Sequence, residues 1–146
     1  MKKLTILFLL SIVALLAACS DDDTFTTSRS NLLSFLTDTL KLDTFFSSVP
    51  TSTRTFWVYN RSGAGLRLTN VRLSQGNQTG FRVNVSGDEL NAANGYQVKD
   101  LEVRNKDSIR VFVEMTSPLN NGTSPQEIAD NLIFTLENGV QQRVVL

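Results

Sequence analysis

Thr53-Arg54-Thr55-Phe56-Trp57-Val58-Tyr59-Asn60 is the stretch that decides the fold. Side chains alternate across a β-strand, so Phe56 and Val58 share one face while Thr55, Trp57 and Tyr59 share the other. The run is rich in aromatic and β-branched residues, which suit a pleated, half-buried surface. Residues 60–65, Asn-Arg-Ser-Gly-Ala-Gly, then supply a turn whose members tolerate positive φ.

The same two-residue period recurs in both directions from this strand. Downstream, Leu66-Arg67-Leu68-Thr69-Asn70-Val71-Arg72-Leu73 alternates but slips by one at Thr69-Asn70, where a bulge would return Val71 and Leu73 to the face of Leu66 and Leu68. Phe81-Arg82-Val83-Asn84-Val85, residues 98–104 and Ser108-Ile109-Arg110-Val111-Phe112-Val113-Glu114-Met115 follow the same rule, with Asn105-Lys106-Asp107 as a turn. Residues 86–96 and 117–130 read as polar loops, and residues 131–136 and 140–146 as a closing hairpin around Glu137-Asn138-Gly139. Upstream, residues 40–46 open the series before the breaker Pro50.

Seven or eight short strands in about 108 residues predict an all-β chain folded as an immunoglobulin-like β-sandwich over residues 39–146. The expected inward set is Phe56, Val58, Leu66, Leu68, Val71, Leu73, Phe81, Val83, Val85, Leu101, Val103, Ile109, Val111, Val113, Leu132 and Phe134.

The first 38 residues have a different composition. Lys2 and Lys3 precede an apolar run from Leu4 to Leu16 and the small pair Ala17-Ala18, the pattern of a cleaved secretory signal. The run is shorter than the roughly 20 residues that a transmembrane helix needs. Leu16-Ala17-Ala18-Cys19 resembles the lipobox of bacterial lipoproteins, which implies a diacylglycerol on the Cys19 thiol and cleavage after residue 18. Residues 19–38 then form the acylated N-terminus and a flexible tether. Within it, Leu32, Leu33, Phe35 and Leu36 fit one face of a helical turn, but six residues leave helix and strand both open.

Composition narrows the function. The chain has no histidine and one cysteine, so Ser-His-Asp and Cys-His arrangements and histidine-bearing metal sites are excluded. Once Cys19 is acylated no thiol is left for a disulfide. Asp100, Glu102 and Glu114 fall on outward strand faces, where solvated charge is the ordinary reading rather than a carboxylate pair flanking a cleft. Gly63-Ala64-Gly65 is followed by a strand, which is not the setting of a phosphate loop. Neither a metal nor another cofactor is expected. Residues 19–146 carry 12 basic against 14 acidic side chains, and no basic face for a nucleic-acid partner is apparent.

Taken in order, Thr-Arg-Thr-Phe-Trp-Val-Tyr-Asn, Gly-Leu-Arg-Leu-Thr-Asn-Val-Arg-Leu, Phe-Arg-Val-Asn-Val-Ser-Gly, Asp-Ser-Ile-Arg-Val-Phe-Val-Glu and Asp-Asn-Leu-Ile-Phe-Thr-Leu-Glu-Asn-Gly resemble the sandwich of Bacteroidota surface lipoproteins. Their pattern is similar to the ASH, Hydin and major-sperm-protein group. The resemblance covers residues 40–146 and implies adhesive, scaffolding or assembly modules without a shared active site. Ser20-Asp21-Asp22-Asp23 resembles the acidic signal that exports such lipoproteins to the outer face of the outer membrane; without it the anchor would face the periplasm. Asp38-Thr39-Leu40 resembles their O-glycosylation acceptor, which makes Thr39 the candidate.

Trp57 and Tyr59, and Phe112 opposite Val111 and Val113, then project from a face that sandwich strands usually give to polar groups. Large rigid aromatics there suggest a contact surface for a protein or glycan. The sequence thus predicts a lipid-anchored, extracytoplasmic, non-catalytic binding or assembly module. The alternative is a structural spacer, or the N-terminal piece of a longer multidomain surface lipoprotein.

Overall fold

The computed structural model describes residues 24–146. Cys19 and Ser20-Asp21-Asp22-Asp23 lie outside the described residues.

The described residues form nine strands: β1 (Leu33–Phe35), β2 (Arg54–Asn60), β3 (Leu66–Leu73), β4 (Phe81–Val85), β5 (Asp88–Glu89), β6 (Gln97–Val103), β7 (Ser108–Met115), β8 (Asn131–Leu136) and β9 (Gln141–Val145). They build two antiparallel sheets, ordered β1-β2-β7-β4-β5 and β6-β3-β8-β9. The expected sandwich is present, with more strands than the seven or eight read from the sequence. The two additions are short, β1 with 3 residues and β5 with 2, and residues 40–46, expected to open the series, form no strand. Five of the eight connections pass from one sheet to the other, so most neighbours in a sheet are distant in sequence.

The apolar faces meet between the sheets. Every residue of the expected inward set is buried except Leu101, which is half-buried. Leu33, Leu90, Val98, Met115, Leu136, Val144 and Leu146 join that core. The slip at Thr69-Asn70 is a bulge: Leu68 pairs with Leu136 and Asn70 with Thr135, leaving one extra residue on β3. On its other side β3 keeps register with β6, because β6 kinks opposite Thr69 at Asp100, whose φ is 53°. Both strands thus change parity together, so Leu68 faces Leu101 and Val71 faces Val98.

The domain also extends further toward the N-terminus than position 39. The segment at 31–36, open between helix and strand in the sequence, is the edge strand β1, with Leu33 buried and Phe35 edge-on to Phe134 at 5.2 Å between ring centroids. Gln142, from β9 in the opposite sheet, accepts the Leu33 amide through Oε1 at 2.9 Å and donates Nε2 to the Leu33 carbonyl at 3.0 Å. Just downstream the Leu40 amide donates to the Val145 carbonyl (2.8 Å) and the Val145 amide to the Asp38 carbonyl (2.9 Å). Residues 33–40 therefore close one side of the sandwich instead of tethering it. Further upstream, Phe25 lies flat on Gly65, and the Thr26 amide donates to the Gly65 carbonyl at 3.0 Å.

At the opposite end, Gly80 lets β4 start. Its φ is 81°, and a Cβ there would stand 2.1 Å from the Thr116 carbonyl oxygen, which is backbone and unable to swing away. Gly80→Ala should therefore lower stability by at least about 2 kcal/mol, combining left-handed strain with a main-chain clash. The shift in denaturant midpoint measures it, and a change below about 0.5 kcal/mol would contradict this account.

Candidate functional site

The site candidates sit on the outer face of the five-stranded sheet, on its two adjoining strands β2 and β7. Their register sets Trp57 opposite Arg110, Tyr59 opposite Ser108 and Thr55 opposite Phe112. Trp57, Tyr59 and Phe112 therefore share one surface, as alternation predicted. Trp57 is 38% exposed. Tyr59 and Phe112 are half-buried. The nearby β1 does not cover them, because Phe35 points to the core side of the same sheet.

What alternation could not reveal is the arginines between the rings. The Arg110 guanidinium carbon lies 5.3 Å from the Trp57 ring centre and 4.6 Å from that of Phe112. Arg61, just past the end of β2, lies 4.7 Å over the Tyr59 ring. Guanidinium planes are attracted to the electron-rich faces of such rings, by roughly 0.5–1 kcal/mol each at exposed positions. The aromatic positions were legible from parity alone, whereas their arginine partners depend on strand register and turn geometry.

Beyond Tyr59 the face ends in a shallow open depression of about 430 Å³, lined by Tyr59, Asn60, Arg61, Gly63, Asn105 and Lys106. Asn60 builds it. The sequence reads Asn60 as a turn residue tolerant of positive φ, but it is the last residue of β2, its side chain is fully buried, and its φ is not positive. Its Nδ2 donates to the carbonyls of Ala64 and Val103, both at 2.8 Å, and its Oδ1 accepts the Ser62 amide (3.0 Å) and hydroxyl (2.8 Å). The Asn60 amide donates to the Asp107 carbonyl at 2.9 Å, and the Lys106 amide to the Asn60 carbonyl at 3.0 Å. One residue thus latches the β2–β3 turn to the β6–β7 turn. In that second turn Lys106 itself takes φ 66°.

Lower on the same face, the Thr53 hydroxyl, then Arg82 at 2.7 Å, hold the Glu114 carboxyl below the usual carboxylate range. The outer face of the four-stranded sheet differs in kind. There Arg67 pairs with Glu102 at 2.8 Å and Glu137 at 3.7 Å, and the Glu102 hydrogen bond holds the guanidinium pKa up. Asp100 and Glu102 are exposed, as expected of solvated charge.

Thr39 is half-buried beside β9, bridged to Val145, with its amide and carbonyl both engaged by the Thr37 hydroxyl. Its backbone is thereby fixed against the edge of the sandwich, with structured chain on its N-terminal side as well. Among the described residues no group of three or more acidic, histidine or cysteine side chains could hold a metal ion, and no helix is long and apolar enough to cross a membrane. No protein-family model matches the chain, and no curated protein matches it.

Because Asn60 satisfies the buried Val103 carbonyl and the part-buried Ala64 carbonyl at once, Asn60→Ala should cost about 2–4 kcal/mol by stranding them. Thr55→Ala, exposed on the same strand, should stay within about 0.5 kcal/mol. Equal midpoints for the two variants in chemical denaturation would show that Asn60 is not the latch.

Proposed function

We propose that the protein is a lipid-anchored, extracytoplasmic binding or assembly module without catalytic activity, held at the outer membrane through acylated Cys19 and facing the cell surface. The observation that carries the binding part is the row of Trp57, Arg110, Phe112, Tyr59 and Arg61 on the outer face of the five-stranded sheet. Trp, Tyr and Arg are the side chains most enriched at binding hot spots. A partner would find them on paired strands rather than on loops, so little conformational entropy is lost on docking.

The anchoring part rests on the sequence pattern at residues 16–23. One structural feature is compatible with it: the chain enters the sandwich at Phe25, beside the β2–β3 turn, so a lipid on Cys19 lies within six residues of that end. The end from which it is remote carries exposed Phe46, Val49 and Leu119, gathered where Ser48 bonds to Ser117 and Pro50 bridges to Thr116. That apolar tip favours the second reading, a spacer whose far end abuts another domain.

Two experiments test the main reading. Cys19→Ala should abolish palmitate incorporation and release the protein from membranes, while replacing Asp21, Asp22 and Asp23 with alanine should protect the domain from protease added to intact cells. Undiminished palmitate labelling would remove the anchor, and equal shaving would remove the export role. Separately, Trp57, the sole tryptophan, should emit at long wavelength and be quenched readily by acrylamide. A blue-shifted, protected emission would mean that the face is covered and not a docking surface.

A further inference from the structure

We propose that this face recognises an acidic peptide segment of a protein partner, through the unpaired cations Arg61, Arg110 and Lys106; the inference rests on the reading of the face as a docking surface.

The argument begins with what these cations lack. Three arginines of the sandwich are paired with acids, Arg54 with Asp43, Arg67 with Glu102 and Glu137, and Arg82 with Glu114, while Arg72 and Arg143 on the other outer face have neither an acid nor a ring against them among the described residues. Among the described residues, Arg61, Arg110 and Lys106 have no acid within salt-bridge distance, and their side chains make no hydrogen bond. All three are exposed. Stacking on an aromatic ring engages the flat of a guanidinium and leaves its N–H edge unspent, so Arg61 on Tyr59 and Arg110 between Trp57 and Phe112 are held with donors free. A planar fork of donors fixed in advance matches a carboxylate bidentately, and its orientation has already been set before the partner arrives.

Lys106 adds a mobile point charge at the rim of the depression that Arg61 shares. None of the six residues lining that depression is acidic. The nearest acid in sequence, Asp107, has one carboxylate oxygen taken by the Ser108 amide at 2.7 Å. The turns presenting Arg61 and Lys106 are joined by the Asn60 latch, so the two cations stand in a fixed relation.

The sequence gives residues 19–146 a slight acidic excess, from which no basic face was expected; the fold nonetheless gathers these unpaired cations on one side. Three such charges fall well short of the roughly 6–10 phosphate contacts of a typical nucleic-acid interface. A neutral glycan would seek bare ring faces, whereas the rings here have guanidinium groups against them. Around the cations stand Ser34, Thr55, Asn84 and Ser108, positioned by register on the same face and suited to bonding a peptide rim. Electrostatic complementarity, with Trp, Tyr and Arg as anchors, therefore points to an acidic polypeptide.

The test uses the full acylated chain in a neutral detergent, with fluorescent poly-L-glutamate as probe and polygalacturonate, a single-stranded DNA oligonucleotide and poly-L-lysine as comparators. Poly-L-glutamate should bind, weaken steeply toward ~0.5 M salt, where screening falls within a few ångströms, and lose at least about tenfold in affinity in the Arg61→Gln/Lys106→Gln/Arg110→Gln variant. Arg54→Gln, at the start of β2 on the opposite parity from Trp57 and already paired with Asp43, should bind as the parent does. Circular dichroism and a cooperative denaturation curve confirm that each variant is folded, and the single Lys106→Gln variant serves if the triple variant is not. Absence of poly-L-glutamate binding, binding indifferent to the substitutions, or equal or tighter binding of polygalacturonate or DNA would overturn the proposal. Such a failure with Trp57 still open to quencher discards the acidic ligand alone, whereas a protected Trp57 discards the docking face itself.

Discussion

A fully buried carboxamide, that of Asn60, constrains more of this molecule than any apolar contact does. Two sheets held only by apolar packing can slide, because burial is proportional to area and indifferent to direction. Hydrogen bonds from one side chain to Val103 in one sheet's edge strand and Ala64 in the connecting turn have one geometry. At the other end of the sandwich Asp130, 1% exposed, plays the same part: its carboxylate accepts from the Gln75 and Asn131 amides and the Thr79 hydroxyl, while its backbone exchanges bonds with Leu146. Leaving either group unpaired inside the protein would be costly, so each fixes the turns around it. The aromatic face runs toward the Asn60 end, and its last two cations are placed by that latch.

Sequence patterning carried the core because a period of two is a local signal. It located both faces of β2 and β7 and even the bulge at Thr69, since a change of parity is visible in the residues themselves. It failed where the deciding partner is far along the chain. Three residues at Leu33–Phe35 cannot declare themselves a strand; what makes them one is pairing with Val58–Asn60 and the Gln142 side chain, 109 positions away from Leu33. Asn60 and Asp130 look like turn polar residues for the same reason, because their bonds reach across the fold. Arg110 reads as an ordinary water-facing arginine until register puts it between two rings.

The two outer faces show how little composition says about a surface. On one sheet Arg67 is paired with Glu102 and Glu137, a surface group of the kind that contributes at most about 1 kcal/mol. Arg110 and Arg61 on the other are stacked on rings and unneutralised. The chain thus uses arginine in two ways, paired with carboxylates at Arg67 and set over strand aromatics without them at Arg61 and Arg110.

Where a partner could engage also follows from how the edges end. An exposed strand edge is a template for an added strand, and this fold offers little of that kind. In the five-stranded sheet the edges are β1 and β5, of 3 and 2 residues. In the four-stranded sheet β9 is bonded by residues 38–40, while β6 carries Lys99, Asp100 and Glu102 and is kinked by the positive φ of Asp100. The two outermost strands of the five-stranded sheet and the kinked β6 are therefore poor templates for strand addition. The broad face of β2 and β7 has the opposite character: β7 is paired on both flanks, its neighbours are fixed by six register pairs with β2 and five with β4, and its side chains are presented on backbone that need not move. On the docking reading proposed above, contact would therefore be made by side chains on that face rather than by main-chain pairing at an edge.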